Sequence, residues 1–336
     1  MSATDIFVGC DWGSTSFRLR IVERGSRRVI AEQSAGNGIK IFASLPAPAR
    51  AAAMAGFFAE RLAAWPDFSV AAPIIITGMA SSNVGWLQLP YAVAPFPLDG
   101  SGCQTGRVTF PAVDGRTRTA TLISGVRTDD DIMRGEECAL IGANVLRSES
   151  AARGVSTLAL LAGTHPKHAL LHAGALISFR THLTGELFEA LAGSGLLAAS
   201  IDRDAAGAAP DLESFRAGLG CVRERGISGA LFQVRARDVL RSMSKPANTW
   251  FLSGVLVGAE LERVTDRRDG SELLLIGEPR RVTLYREALR AMGVANGGTE
   301  LPAVDLAEAV IAGQEVLLRQ MEGRPRDLAE SQNLLT

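Results

Sequence analysis

An α/β fold in two similar halves is what this sequence predicts. Apolar runs closed by glycine, such as "APIIITG" (residues 72–78) and "SELLLIG" (271–277), have the continuity of strands buried on both faces. Segments of helical periodicity alternate with them, and the order strand meander, helix, buried strand, helix occurs once in each half. At 336 residues the chain also exceeds the size of one ordinary core. Two lobes are therefore expected, 1–148 and 149–336, with a cleft between them.

The first lobe opens with "DIFVGCDW", "SFRLRIVER" and "RRVIAEQSAG", three strand-like runs joined by short turns and read as an antiparallel meander. An alanine-rich helix follows from about Pro48 to Trp65, ended by Pro66. After the buried strand at 72–78, "LPYAVAPFPLDGSGCQTG" (89–106) reads as a long irregular segment, long enough to be functional. "TATLISGV" is a strand and "DIMRGEECALIGANVL" (131–146) a helix, with Met133, Leu140, Ile141 and Val145 on one face.

In the second lobe "STLALLAGTHPKHALLHAGALISFR" predicts a strand, a polar turn and more strand, and "TGELFEALAG" a helix. "DAAGAAPDLES" (204–214), small and polar, reads as a surface loop or linker. Helices are expected at "LFQVRARDVLRSM", "WFLSGVLVGAELERV" and "RRVTLYREALRAMG", the last with Val282, Tyr285, Leu289 and Met292 as its stripe. A final helix is expected from about Val304 to Met321.

A formal net charge of −1 supplies no field for nucleic acid or an anionic membrane. The four cysteines, Cys10, Cys103, Cys138 and Cys221, form no C-x-x-C pair and suit reduced thiols in a cytoplasm. The start, "MSATDIFVGCDWG", lacks the basic-then-apolar order of a secretory signal. No apolar run approaches the ~18–20 residues of a membrane span.

The chemistry gathers at turns. Gly13, Ser14 and Thr15 interrupt what would otherwise be one long strand, and such a turn can aim amides and two hydroxyls at phosphate oxygens. Asp11 at its mouth is a hard oxygen ligand suited to Mg²⁺. An ordinary hairpin with an Asx-type turn is the alternative. Gly163 and Thr164 again follow an apolar strand directly, with His165 in the turn, and Gly277 ends a strand just before a helix whose N-terminus can receive an anion. No G-x-x-x-x-G-K-[ST] loop and no G-x-G-x-x-G fingerprint is present. Asp129 to Asp131, Glu136 and Glu137 are either charge at a helix start or the source of a general base. His165, His168, His172 and His182 lie close in sequence, but no H-E-x-x-H or cysteine pair supports zinc.

The motifs "DWGSTSFR", "GMASSNVGWLQLPY", "IMRGEECALIGA", "AGTHPKH", "FRTHLTGELFEAL" and "FLSGVLVGAEL" resemble, in order and over nearly the whole chain, the 2-dehydro-3-deoxygalactonokinase family of the actin-like, hexokinase-type ATPase superfamily. The resemblance implies two ribonuclease H-like domains with mixed sheets flanked by helices. It also implies transfer of the ATP γ-phosphoryl group, with Mg²⁺, to the 6-hydroxyl of 2-dehydro-3-deoxy-D-galactonate in galactonate degradation. Residue by residue, it implies a first phosphate loop of Asp11, Gly13, Ser14 and Thr15 and a second of Gly163, Thr164 and His165 with Lys167 nearby. Gly277 and the following helix match the adenosine element, with "GEP" in place of a more glycine-rich form. Glu136 is the first candidate for the base and Asp131 the second. Ser82, Asn83 and Trp86 are sugar-side candidates, and Arg134 and Arg180, with Arg18 as a further option, are candidates for the substrate carboxylate.

Rival readings are a kinase of another small sugar or sugar acid, a phosphatase on the same scaffold, and a non-enzymatic actin-like module. Oligomeric state is open, a homodimer being one option.

Overall fold

The structure, a computed structural model, describes residues 5–65, 72–112, 115–147, 155–265, 271–294 and 301–323. Pro66, the start of the chain at 1–4 and the 148/149 junction lie outside the described residues. The chain forms two compact units, one of Met1–Arg153, Leu171–Ser178 and Leu306–Thr336, the other of Gly154–Leu170 and Phe179–Asp305. The sequence division runs the second lobe to the C-terminus, whereas the structure groups the chain from Leu306 onward with the first unit.

The first unit is built on β1 (Ile6–Trp12), β2 (Phe17–Glu23), β3 (Val29–Ala35), β4 (Ile74–Gly78), β5 (Thr105–Pro111) and β6 (Thr117–Ile123), in the order β3-β2-β1-β4-β6-β5. β1 pairs antiparallel with β2, from Ile6↔Glu23 to Trp12↔Phe17, and β2 pairs antiparallel with β3. β1 runs parallel to β4, which runs parallel to β6. Helix α1 (Ala47–Ala63) turns Met54, Phe58 and Leu62 onto this sheet, where Phe58 meets Trp12, Trp86 and Phe110 at ring separations of 5.3–6.2 Å. Such aromatic clusters bury large areas and fix orientation beyond the area alone. Helices α2 (Glu136–Arg147) and α7 (Leu306–Glu322) pack so closely that Cβ atoms at Gly142 or Gly313 would overlap the other helix's backbone. That packing, together with Gln314 Nε2 donating to the Cys10 carbonyl at 3.0 Å, is why the C-terminal helix belongs here.

The second unit has β7 (Thr157–Leu161), β8 (Lys167–His172), β9 (Ala175–Thr181), β10 (Glu272–Gly277) and β11 (Ala303–Asp305). Their order, β9-β8-β7-β10-β11, repeats the β3-β2-β1-β4-β6 order of the first sheet, and β7, β10 and β11 are mutually parallel. The tip of the β8–β9 hairpin groups with the first unit, where Ala175 and Leu176 pair with Pro97 and Phe96. Around the sheet stand α3 (Thr184–Gly193), α4 (Leu212–Arg241), α5 (Lys245–Thr265) and α6 (Pro279–Ala291). The fold is thus mixed α/β, two sheets of ribonuclease H-like strand order flanked by helices.

Three expectations need correction. The helix expected from 131 begins at Glu136, because Gly135 takes φ +111°, and Met133 lies in a short strand, Ile132–Met133. The segment at 89–106 ends in β5, an edge strand whose alternation sends Val108 and Phe110 inward. The segment at 204–214 runs into α4, which starts at Leu212 with Asp211 Oδ1 accepting from the Ser214 amide, and which breaks at Gly226. Gly218 and Gly220 lower the helix propensity of the first half of α4. Gly218 and Gly254 instead mark where α4 and α5 cross, since a Cβ on either would overlap the other helix's backbone.

Candidate active site

Parallel strands of an open α/β sheet present ligand-binding loops at their C-terminal ends. In the first unit that end carries Asp11 on β1, opposite Thr77 on β4, and then the turn Gly13–Thr15. The Gly13 amide donates to the Ser16 carbonyl at 2.9 Å, while the Gly13 and Ser14 carbonyls accept from the Ile39 and Lys40 amides. Gly38 sits against Ser14 and Thr15 with no room for a side chain, so the turn is pinned from below by backbone alone.

The start of α2 closes on the same strand ends. Gly78 (φ +89°) and Gly135 (φ +111°) meet there, a Cβ on Gly135 falling 3.1 Å from Gly78 Cα. Glu136 Oε2 accepts from the Arg134 amide at 3.1 Å and Glu137 Oε2 from the Gly135 amide at 2.7 Å, so both carboxylates satisfy amides just before the helix. Asp11 lies 3.6 Å from Arg18 Nη1. Surrounding protein pushes the Asp11 carboxyl above its ordinary range, against the pull of Arg18 and Arg20, and Glu136 adds to the push. Glu137 is fully buried, its Oε1 makes no hydrogen bond, and burial beside Glu136 raises its pKa to about 8.

Asp11, Gly13, Ser14, Thr15, Arg18 and Glu136 thus share one end of one sheet. Asp131 stands earlier, in a turn where its amide is held by Thr128 Oγ1 at 2.9 Å and its Oδ1 accepts from the Ile132 amide at 2.7 Å. Arg134 is 8 % exposed and stacks on Tyr91 at 4.1 Å. Its guanidinium donates to Ser81 Oγ at 2.7 Å and the Leu89 carbonyl at 3.2 Å, so it supports the β4 loop instead of offering a free fork to a carboxylate. Trp86 is a core residue packed against Trp12, Phe58 and Phe110. Ser82 is buried with an Oγ that makes no hydrogen bond, and Asn83 is exposed.

The second unit holds a cavity of about 300 Å³ at the corresponding strand ends, lined by Gly163 and Thr164 after β7 and by Glu278, Arg280 and Arg281 after β10. Gly163 accepts from Arg281 Nη1 at 3.0 Å, and the Thr164 carbonyl accepts from the Gly185 amide at 3.0 Å. Gly277 packs on Ala162 and Val282, a tight corner where a Cβ would lie 3.2 Å from the Ala162 Cβ. His165 Nε2 pairs with Glu186 Oε2 at 2.5 Å, and the buried Lys167 donates to the His165 carbonyl at 2.8 Å, which shapes the turn. Arg180 is exposed on β9. Among the described residues no group of three or more histidines, cysteines or acids could hold a metal.

The remaining wall was not anticipated. Thr184, Trp250, Ser253, Val257 and Tyr285 line the cavity, and Arg280 lies over the Trp250 ring at 5.1 Å. Trp250, Ser253 and Val257 recur at helical spacing within "WFLSGVLVGAEL", a signal that was there to be read.

Known proteins place the chain in a family. A family model described as 2-keto-3-deoxy-galactonokinase matches residues 11–315. A protein of Escherichia coli (strain K12) named 2-dehydro-3-deoxygalactonokinase is 30 % identical over 297 residues, 85 % of this chain and 90 % of that one. A Rhizobium meliloti (strain 1021) protein with the same name given provisionally is 33 % identical over 335 residues, covering 95 % and 98 %. A crystal structure from Sinorhizobium meliloti, also provisionally a 2-dehydro-3-deoxygalactonokinase, superposes with a TM-score of 0.74 at 29 % identity, covering 95 % of this chain and all of that one. The chain belongs to the 2-keto-3-deoxy-galactonokinase family, phosphotransferases with an alcohol group as acceptor.

Proposed function

We propose that this protein transfers the γ-phosphoryl group of ATP to the 6-hydroxyl of 2-dehydro-3-deoxy-D-galactonate, giving 2-dehydro-3-deoxy-6-phosphogalactonate in galactonate breakdown. The observation that carries the reading is a cavity walled by a Gly-Thr turn and a helix start, in a chain of a kinase family. In this reading Gly163 and Thr164 contact phosphate, and residues 278–281 with Trp250 receive the nucleoside. Gly13, Ser14 and Thr15 are the other phosphate-binding residues.

Glu136 is the proposed base. Its charge is felt at Asp11, on the strand end that carries the first turn, whereas Asp131 stands earlier, in the turn before Ile132; each carboxylate accepts one backbone amide. A base must reach the hydroxyl whose proton it takes, and position precedes pKa in choosing it. Asp11 suits Mg²⁺, which takes one or two protein carboxylates and leaves its other positions to water and phosphate. Bound there, the ion would offset negative charge on the phosphates. Arg180, exposed on β9, is the arginine proposed first for the substrate carboxylate, with Arg18, which Asp11 already engages, as the further option; Arg134 is held by protein partners. The orphaned Ser82 hydroxyl is the sugar-side group proposed from the β4 loop. We place the reaction in the cytoplasm, where the four free thiols stay reduced.

Coupled ADP release measured against a panel of 2-keto-3-deoxy acids and neutral hexoses tests the assignment. The highest kcat/KM is expected with 2-dehydro-3-deoxygalactonate. Turnover of a neutral hexose with none of the keto acids would overturn the substrate assignment.

A further inference from the structure

Glu260 lies on α5 one helical turn beyond Val257, on the face that Trp250, Ser253 and Val257 turn to the cavity. It is 4 % exposed, and among the described residues its ionic partner is His168, with no lysine or arginine bonded to it. Three side chains from separate elements converge on its carboxylate instead. Tyr285 Oη on α6 lies 2.8 and 2.9 Å from the two oxygens, His168 Nε2 on β8 lies 3.0 Å away, and Thr184 Oγ1 at the start of α3 donates to Oε2. Thr184 and Tyr285 are themselves cavity wall. The residue after Thr184, Gly185, donates its amide to the Thr164 carbonyl and so holds the Gly-Thr turn. One buried carboxylate therefore ties together the helix under the cavity, the helix beside it, the strand leaving the turn and the residue that steadies the turn. A carboxylate can accept from Thr184, Tyr285 and an Nε2-protonated His168 together, which a neutral amide cannot do.

We propose that Glu260 is a positioning residue for nucleotide binding, acting through Thr184 and Tyr285 to hold the cavity wall in its binding shape. The proposal rests on reading this cavity as the ATP site. Nothing in it requires Glu260 to touch the nucleotide.

ADP binding to wild type and E260Q by calorimetry, alongside steady-state kinetics, tests it. E260Q keeps the side-chain volume but replaces one acceptor oxygen with a donor. The ADP Kd and the KM for ATP are expected to rise together by about tenfold, as for loss of charged hydrogen bonds. The KM for the sugar acid and kcat are expected to stay within about twofold. A merely structural role would lower the active fraction, reducing apparent kcat while leaving both KM values unchanged. That pattern, or unaltered ADP affinity, overturns the proposal. Should E260Q fail to fold, the cycle T184V, Y285F and T184V/Y285F decides. Coupling through a shared acceptor predicts losses of ADP affinity that are clearly non-additive, and additive losses contradict it. Wild-type protein that binds no ADP at all would remove the underlying reading of the cavity as well, a result distinct from wild-type binding that E260Q preserves.

Discussion

The turn after β1 and the turn after β7 end equivalent strands in sheets of the same order, yet they are furnished differently. Around Gly13–Thr15 the neighbours are ionisable: Asp11, Arg18, Glu136 and the buried Glu137. Around Gly163–Thr164 the charged neighbours, Glu278, Arg280, Arg281 and the His165–Glu186 pair, border a formed cavity, with Gly185 seated against Thr164 and Trp250 under Arg280. The comparison teaches that strand order decides where a site forms, while the residues at the strand ends decide what it does. On this account the first unit supplies proton and charge handling, and the second supplies nucleotide shape. Substitutions in the two should therefore separate into kcat effects and KM effects.

The largest effect is expected from Glu136→Gln, a fall in kcat of about 10²–10⁴-fold, the usual contribution of a general base. Asp131→Asn is expected to stay within a few-fold, and the reverse ranking would move the base to Asp131. Asp11→Asn is expected to lower turnover by at least ~10²-fold in folded protein, as for other groups that stabilise developing charge. Near-normal turnover would remove Asp11 from the site.

The third expectation concerns stability. Glu137 titrates at about 8 in the folded protein. Its folded pKa is raised above the unfolded value, so the folded state holds a proton that the unfolded chain gives up. Wild-type stability should therefore fall as pH rises from about 4.5 to 8, at up to about 1.4 kcal/mol per unit from this group. Glu137→Gln should remove that slope, melting higher than wild type at pH 8 and closer to it at pH 5. Parallel melting curves across the window would show that Glu137 is ionised in the fold. Among the substitutions expected to impair the enzyme, the smallest effect is expected from Gly185→Ala, whose Cβ would lie 2.7 Å from Thr164 Cα. A rise in KM for ATP of about tenfold with kcat nearly unchanged is expected, since weakening an interaction made equally in ground and transition states affects binding alone. A kcat effect there would break the division between the two turns.

Much of the fold was legible because buried parallel strands announce themselves. The runs ending at Gly78 and Gly277 need no tertiary information, and neither does the hydroxyl-rich break after Trp12. What stayed hidden depends on neighbours far away in sequence. The glycines of α4 weaken a helix read alone, and only the crossing with α5 explains Gly218. Arg134 and Trp86 sit in motifs that look functional, yet burial and partners hold both in supporting positions. Glu260 stands in the motif "FLSGVLVGAEL", but its meaning comes from Tyr285, His168 and Thr184, each on a separate element. A single chain read linearly shows turns better than it shows convergence.

The most direct test follows the terminal phosphorus of γ-labelled ATP incubated with the protein, Mg²⁺ and 2-dehydro-3-deoxygalactonate. The account requires the label on the 6-oxygen of the sugar acid, with inorganic phosphate forming only slowly when the acid is omitted. Label released as inorganic phosphate at one rate with or without the acid would contradict it.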